Sequence, residues 1–386
     1  MMKKILGILS ALLISISAFS QDKLNTITTS VPFLLIGPDA RAGAMGDVGV
    51  ATNPDVNSMH WNPAKFAFIE NDLGVSISFV PWLRALVNDI NLSYLTGYKK
   101  IGDNQAVGFE LGYFSLGEIT FTDVTGAELS KYDPKEYIIG SAYSRKLSRS
   151  FSLSVGGKYI LSNLTGGQAA GTIPTVAGQS IAADLSALYN KPMRIKDKEI
   201  DLSIGCNISN IGSKVSYTET ISDDFIPINL RLGLALGGDI DAYNKISVAF
   251  DINKLLVPTP AEYEGTDRVA GMDPDVGVVE GMFQSFWDAP GGPKEEFREI
   301  NYSTGMEYWY DDQFAVRSGY FSEHETKGGR KYFTFGMGMK YTVYTIDFSY
   351  LINANNSAGA TNPLANTMRF SLTWDFGGTQ AVNQIN

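Results

Sequence analysis

From residue 72 to residue 376 the chain alternates polar and apolar positions in run after run. The last run is the clearest: Met368, Phe370, Leu372, Trp374 and Phe376 alternate with Thr367, Arg369, Ser371, Thr373 and Asp375. The run before it sets Tyr344, Ile346, Phe348 and Tyr350 against Thr345, Asp347 and Ser349. A period of two places successive side chains on opposite faces of a strand. Soluble sandwiches alternate as well, but an apolar face made of large residues throughout is the face that a strand shows to lipid. The same pattern marks 72–80, 89–98, 105–115, 136–145, 151–161, 180–190, 199–209, 228–237, 245–253, 301–310, 313–321 and 331–341. The total is about fourteen, an even number as a bacterial single-chain barrel requires. The expected fold is all-β: an antiparallel transmembrane β-barrel over residues 72–376.

The connections alternate too. Short polar turns at 100–104, 146–150, 239–244 and 311–312 trade places with longer segments at 117–135, 162–179, 210–227, 254–300 and 351–366. Short periplasmic turns and long outer loops are the outer-membrane arrangement, and a periplasmic N-terminus puts every long connection outside. The loop 254–300 is rich in Pro and Gly and carries Asp267, Asp273, Asp275, Glu280 and Asp288. It also holds Met282, Phe283, Phe286 and Trp287, expected to be exposed. Phe283, Phe286 and Trp287 recur at the spacing of one helical face. That loop reads as a flexible acidic segment that binds a partner through its aromatics, or as an aromatic patch resting on the barrel rim.

Before the first strand lies a different kind of sequence. Residues 38–64, PDARAGAMGDVGVATNPDVNSMHWNPA, are too small and glycine-rich for a core helix and too irregular for a strand. Gly43, Gly46 and Gly49 permit tight turns and close approach to other chain, and Pro38, Pro54 and Pro63 interrupt regular structure. Such a segment needs a container, so residues 21–71 read as an arm and hatch inside the barrel. Arg41 and Asp47 are expected to pin that hatch to the wall. Ahead of it, Lys3 and Lys4, an apolar run from Ile5 to Ile16, and Ala18 and Ser20 at −3 and −1 read as a signal peptide over 1–20. Residues 377–386 read as a periplasmic tail.

Composition narrows the chemistry. Loss of Lys3 and Lys4 takes the net charge from −10 to −12, which argues against a nucleic-acid partner. Cys206 is the single cysteine, so no internal disulfide forms and thiol-metal chemistry is not expected. Aromatic residues at 12% and 39 glycines suit a barrel with interfacial girdles and crowded strands. The two histidines, His60 in the hatch and His324 between Glu323 and Glu325, lie far apart in this arrangement and do not make a catalytic constellation. Asp184, Asp201, Arg231, Asp251 and Asp347 fall on polar strand faces and read as a lumenal ion-pair network. Asp273 and Asp275 lack calcium-loop spacing and read as solvated. No catalytic residue, metal or cofactor is expected.

The hatch, with Asn62-Pro63-Ala64 at its end just before the first strand, resembles the FadL family of outer-membrane transporters. Within that superfamily, residues 37–47 (GPDARAGAMGD), 60–65 (HWNPAK) and the ending Thr373-Trp374-Asp375-Phe376 resemble the PorV family. The resemblance implies a fourteen-stranded barrel with a hatch formed around Arg41, Gly43, Gly46, Asp47, Asn62, Pro63 and Ala64. It also implies a non-enzymatic component of the type IX secretion system of Bacteroidetes. Its implied partners are the translocon barrel SprA (Sov) at its lateral opening, secreted cargo bearing a C-terminal signal domain, the attachment complex around PorU, and outer-membrane lipid. Likeness to FadL implies the alternative, uptake of hydrophobic small molecules. A link of PorV relatives to lipopolysaccharide deacylation implies a third, which the two separated histidines disfavour. The tail beyond Phe376 departs from barrels that end on an aromatic residue.

Overall fold

A computed structural model describes residues 24–84, 87, 89–122, 125–168, 173–195, 198–218, 223–354 and 366–377. The sequence expectations for 1–20 and for all but the first residue of 377–386 lie outside these residues. Fourteen strands form one closed antiparallel barrel in which each pairs with its neighbours in sequence. They are β1 (Leu73–Pro81), β2 (Ile90–Lys100), β3 (Gln105–Leu116), β4 (Lys135–Lys146), β5 (Phe151–Asn163), β6 (Gly178–Ile195) and β7 (Lys198–Gly212). The circuit continues through β8 (Asn229–Asp239), β9 (Asn244–Leu255), β10 (Asn301–Tyr310), β11 (Phe314–Ser322), β12 (Lys331–Tyr341), β13 (Tyr344–Asn353) and β14 (Met368–Phe376). The first and last strands close it in the register Leu73↔Phe376 to Phe79↔Phe370.

The alternation drives this closure. At the seam Ile77, Phe79, Phe370 and Leu372 face outward and are exposed, whereas Ser76, Ser78, Ser371 and Thr373 face inward and are buried. The inward hydroxyls meet across the seam, Ser76 with Thr373 at 2.9 Å and Ser78 with Ser371 at 2.7 Å. A closed ladder leaves no strand edge unpaired in lipid, which is what allows strands to span a membrane. Turn chemistry fits the short connections. Asp311 and Asp312 adopt φ of 53° and 51°, and Gln313 N donates to Tyr310 O at 3.0 Å, a two-residue reversal that short polar side chains tolerate.

The long connections gather at the opposite rim and carry structure of their own. Two small hairpins form there, Ile119–Thr122 with Glu128–Tyr132 and Glu262–Glu264 with Asp267–Ala270. The 254–300 loop, expected to be flexible, is folded. It contains helices Val278–Gln284 and Pro293–Arg298 in addition to its hairpin.

The N-terminal arm corrects another expectation. The barrel does begin at the short-turn rim, where Asp72 N donates to Phe376 O at 2.9 Å. The arm, however, starts at the long-loop rim and not on the periplasmic side: Asn25 N donates to Thr326 O at 3.1 Å and Ser30 N to Phe225 O at 2.9 Å. Its apolar residues decide this. Val31, Phe33, Leu34 and Ile36 join Leu92, Phe114, Ile160, Phe225 and Ile226 in a buried cluster beneath the long loops. From there the chain descends through the lumen to β1.

Candidate functional site

The lumen is filled by residues 37–69, nearly all of them buried. The first turn of structure is a five-residue helix, α1 (Ala40–Ala44). Asp39 caps it by accepting from Ala42 N at 2.8 Å, and its other oxygen accepts from Trp61 Nε1 at 2.7 Å. One carboxylate thereby starts the helix and joins the two ends of the hatch. A second short helix, α2 (Ser58–Trp61), leads into the 3₁₀ segment Pro63–Phe68.

Each residue of Asn62-Pro63-Ala64 has a defined contact. Asn62 Oδ1 accepts from Ala64 N at 3.1 Å, while its amide donates to Val50 O at 2.9 Å and to Ala187 O of the wall at 3.0 Å. The Pro63 carbonyl accepts from Ser144 Oγ and the Ala64 carbonyl from Ser152 Oγ, both at 2.7 Å. Proline suits this first position, where its missing N–H has no helical acceptor to satisfy. Alanine leaves room, and Ala64 is fully buried. Lys65 turns back to donate to Gly49 O at 2.8 Å and Thr52 Oγ at 3.1 Å.

Charge holds the hatch laterally. Arg41 forms two bonds to Glu307 on β10, Nε at 2.9 Å and Nη2 at 2.8 Å, and reaches Asp55 at 2.7 Å. Glu307 also accepts from Arg317 Nε at 2.6 Å, and Arg317 pairs with Asp347 at 2.7 Å. Asp47 pairs with Arg369 and accepts from Tyr332 Oη at 2.6 Å. A second buried group joins Lys158 to Asp184 at 2.9 Å and to Glu110 at 3.5 Å. Asp251 accepts from Gly49 N at 2.8 Å and Val50 N at 3.0 Å. Arg231 lies over the Trp61 ring at 5.0 Å and donates to His60 O at 3.1 Å. Asp201, expected in this lumenal group, is instead exposed near the short-turn end of β7.

Facing glycines in the wall receive the hatch backbone. Gly305 and Gly319 are directly paired on β10 and β11. A Cβ on Gly319 would stand 2.1 Å from Met45 C, and one on Gly305 2.5 Å from Met45 O. Gly205 and Gly233, paired on β7 and β8, admit Val50 in the same way. In the hatch, Gly46 has φ of +70°, and Gly43 lies where a side chain would strike Arg369. Thr334 Oγ donates to Ala44 O at 2.9 Å and accepts from Gly46 N at 2.8 Å, closing this contact.

At the long-loop rim, helices α3 (Val278–Gln284) and α4 (Pro293–Arg298) are tied to the barrel by buried charge. Glu299, just after α4, accepts from Lys254 at 2.6 Å, Lys327 at 2.9 Å and Thr259 Oγ at 2.7 Å. Asp288, expected as part of a flexible acidic segment, is buried. Burial pushes its carboxyl up to about 6, against the N–H of Thr259 that it accepts at 3.0 Å. Met282, expected among the exposed residues, packs with Val278 against the core cluster around Phe225. Phe283 and Trp287 are 63% and 61% exposed, and Phe286 is exposed beside them. At the same rim, a groove of about 380 Å³ runs along Thr26 to Thr29 and is bordered by Leu255, Glu299, Glu323 and Lys327. Asp273 and Asp275 remain on the surface near Arg268 (3.7 Å) and Lys214 (3.2 Å). Among the described residues no group of three or more His, Cys, Asp or Glu is arranged to hold a metal ion.

The structure thus gathers Arg41, Gly43, Gly46, Asp47, Asn62, Pro63 and Ala64 into the hatch–wall contact, and sets Phe283, Phe286 and Trp287 apart at the outer rim. Glu307, Tyr332 and Arg369, which take up the hatch charges, and Arg317, which shares Glu307 with Arg41, were not singled out in the sequence. All four occupy inward strand positions, and for Glu307, Arg317 and Arg369 a charge at such a position is the signal that would have found them.

A closed barrel with an apolar exterior, a polar interior and a lumen filled by an N-terminal hatch defines an outer-membrane β-barrel protein. The family model for the type IX secretion system protein PorV matches residues 19–262, more than half of the chain, and the chain belongs to that family. No curated protein matches the sequence. Among solved structures, the Pseudomonas putida toluene transporter TodX is 11% identical, with 91% of this chain and 98% of that one covered at a TM-score of 0.49. The Ralstonia pickettii toluene transporter TbuX is 12% identical, with 89% and 98% covered at 0.45. A Pseudomonas aeruginosa FadL homologue is 10% identical, with 92% and 100% covered at 0.45.

Proposed function

We propose that this chain is a non-enzymatic component of the type IX secretion system that works through its outer rim while its lumen stays shut. Secreted proteins bearing a C-terminal signal domain are accepted there, with the barrel beside the lateral opening of the SprA (Sov) translocon, and are passed to the attachment complex around PorU. The observation carrying this reading, beyond family membership, is a pairing of features: a hatch wired to the wall on all sides, and exposed aromatics on a loop that is folded and anchored. An anchored aromatic surface presents contact area at low entropic cost, which suits protein recognition. Replacement of Phe283, Phe286 and Trp287 together by Ala is expected to lower cargo at the cell surface at least tenfold, because truncating one central aromatic typically costs about 2 kcal/mol or more. The amount of assembled barrel should stay constant, since these side chains point away from the core. Unchanged surface cargo would remove the loop from the mechanism.

The groove beside Thr26 to Thr29 favours a second reading, capture of a hydrophobic small molecule at the outer rim. Direct binding of a radiolabelled fatty acid to the purified barrel, abolished by filling the groove with Thr28→Trp, would establish it. Absence of binding would leave the rim to proteins.

A further inference from the structure

The charges on the short-turn rim are not evenly distributed around the barrel. On the arc from β2 to β7, Lys99, Arg145, Arg149, Lys191 and Arg194 are all exposed. None of the five lies within ion-pair distance of a described carboxylate. Lys146, in the same arc, rests over the Phe68 ring at 4.6 Å. The neighbouring arc has the opposite sign: Asp239 and Asp241 flank the β8–β9 turn, and Asp311 and Asp312 form the β10–β11 turn. Among the described residues Lys245, paired with Asp312 at 2.7 Å, and Lys198, which donates to Ile240 O at 3.2 Å beside Asp241, offset them in part.

Register fixes where the basic side chains point. Lys99, Arg145 and Lys191 each follow a buried or half-buried inward residue (Tyr98, Ser144 and Asn190), so they stand on the outward, lipid-facing columns. Two of these columns carry a tyrosine one step further into the membrane, Tyr143 before Arg145 and Tyr189 before Lys191, both partly exposed. Tyrosines of this kind mark the membrane–water interface. The cations lie just beyond it, at the depth of lipid phosphates. The β6–β7 hairpin adds to the surface. Pairing of β6 with β5 begins at Tyr189↔Phe151, but β6 continues to Ile195 against β7 alone, with Arg194 opposite Glu199. At about 3.3 Å per residue, this hairpin projects roughly 15–20 Å past the end of β5.

We propose that the short-turn rim between β2 and β7 is a docking surface for the phosphate headgroups of anionic phospholipid in the leaflet on that side of the membrane. Unpaired cations on lipid-facing columns directly below interfacial tyrosines meet headgroups, whereas a protein in the aqueous compartment would meet mainly the turn residues Arg149 and Arg194. The acidic arc repels the same lipids, so the barrel collects anionic lipid on one side only and presents that side to its surroundings in a distinct lipid environment.

The test uses the full-length protein in nanodiscs of phosphatidylcholine with a minority of phosphatidylglycerol, released into the gas phase for native mass spectrometry. The wild type is expected to retain phosphatidylglycerol well above its share of the bilayer. The variant Lys99→Gln/Arg145→Gln/Lys191→Gln is expected to lose about a hundredfold in apparent affinity, each cation near the surface being worth about fivefold. Asp239→Asn/Asp311→Asn should keep wild-type retention, and heat-modifiable migration on gels reports that each variant is folded. A wild type that retains phosphatidylglycerol no better than phosphatidylcholine, leaving the arc to an acidic protein, overturns the proposal. So does a folded triple variant equal to wild type. Displacement of the lipid by excess inorganic phosphate would show a free-anion site instead and overturns it as well.

Discussion

Gly319→Leu is expected to push the hatch off the wall and give a closed barrel a measurable ion conductance. The Cβ alone would stand 2.1 Å from Met45 C and 2.2 Å from Gly46 N, both backbone atoms that have no rotamer with which to retreat. Overpacking of a well-packed interior typically costs about 1–3 kcal/mol, and a contact between backbones lies at the top of that range. Two structures can absorb the strain. The wall is a closed ladder, so distorting it breaks hydrogen bonds that have no substitute in lipid. The hatch near Met45 is held by Thr334, by Asp47 and by packing, and it is the weaker of the two. It should therefore move while the barrel stays assembled. Planar-bilayer recording reads the result, with Gly157→Leu as control, because Gly157 faces outward with open space around it. A channel that stays closed in folded Gly319→Leu would show that the hatch tolerates displacement without opening a path.

Glu307→Gln should be the most damaging single change in the lumen. Its carboxylate is buried between two guanidinium groups, Arg41 of the hatch and Arg317 of the wall. Amidation keeps the shape but leaves Arg41 with Asp55 and Arg317 with Asp347 as the remaining anions. Breaking one partner of a buried pair typically costs about 3–5 kcal/mol, because the other charge stays desolvated. The expected readout is a marked fall in the temperature at which the barrel loses its compact gel migration. Adding Arg41→Met should recover part of the loss, since the double variant buries one cation fewer. Additive loss in the double variant would mean that Arg41 and Glu307 do not act as a unit.

Much of this architecture was legible in the chain, and the physical reason differs from part to part. All fourteen barrel strands were expected, most with ends within two residues of those observed, because lipid outside and polar side chains inside force strict alternation. The hatch was legible as a segment without its own core. Its bonding was not: the alternation tells that Glu307, Tyr332 and Arg369 point inward, but not which of them meets Arg41 or Asp47 across the lumen. The course of the arm was misread for a related reason. Val31, Phe33, Leu34 and Ile36 look like a short apolar run, and only the fold shows that the apolar end of the lumen lies under the long loops.

The 254–300 loop was misjudged most. Its Pro, Gly and acidic content matched a flexible segment, yet Lys254 and Lys327, distant in sequence, neutralise Glu299 and fix the helices in place. That anchoring turns Met282 inward and buries Asp288, so what remains for a partner is the smaller surface of Phe283, Phe286 and Trp287. Composition reports local preference, and long-range ion pairs overrode it here.

The proposed function rests on what binds the outer rim. The measurement that bears on it most directly is affinity purification of the tagged full-length protein from native outer membranes, with the bound proteins identified by mass spectrometry. A secretion component with a shut lumen should bring down a large translocon barrel together with secreted proteins that share a C-terminal signal domain. A barrel recovered alone, with a fatty acid or another hydrophobic molecule in the groove beside Thr26 to Thr29, would contradict that function and make the chain an uptake protein.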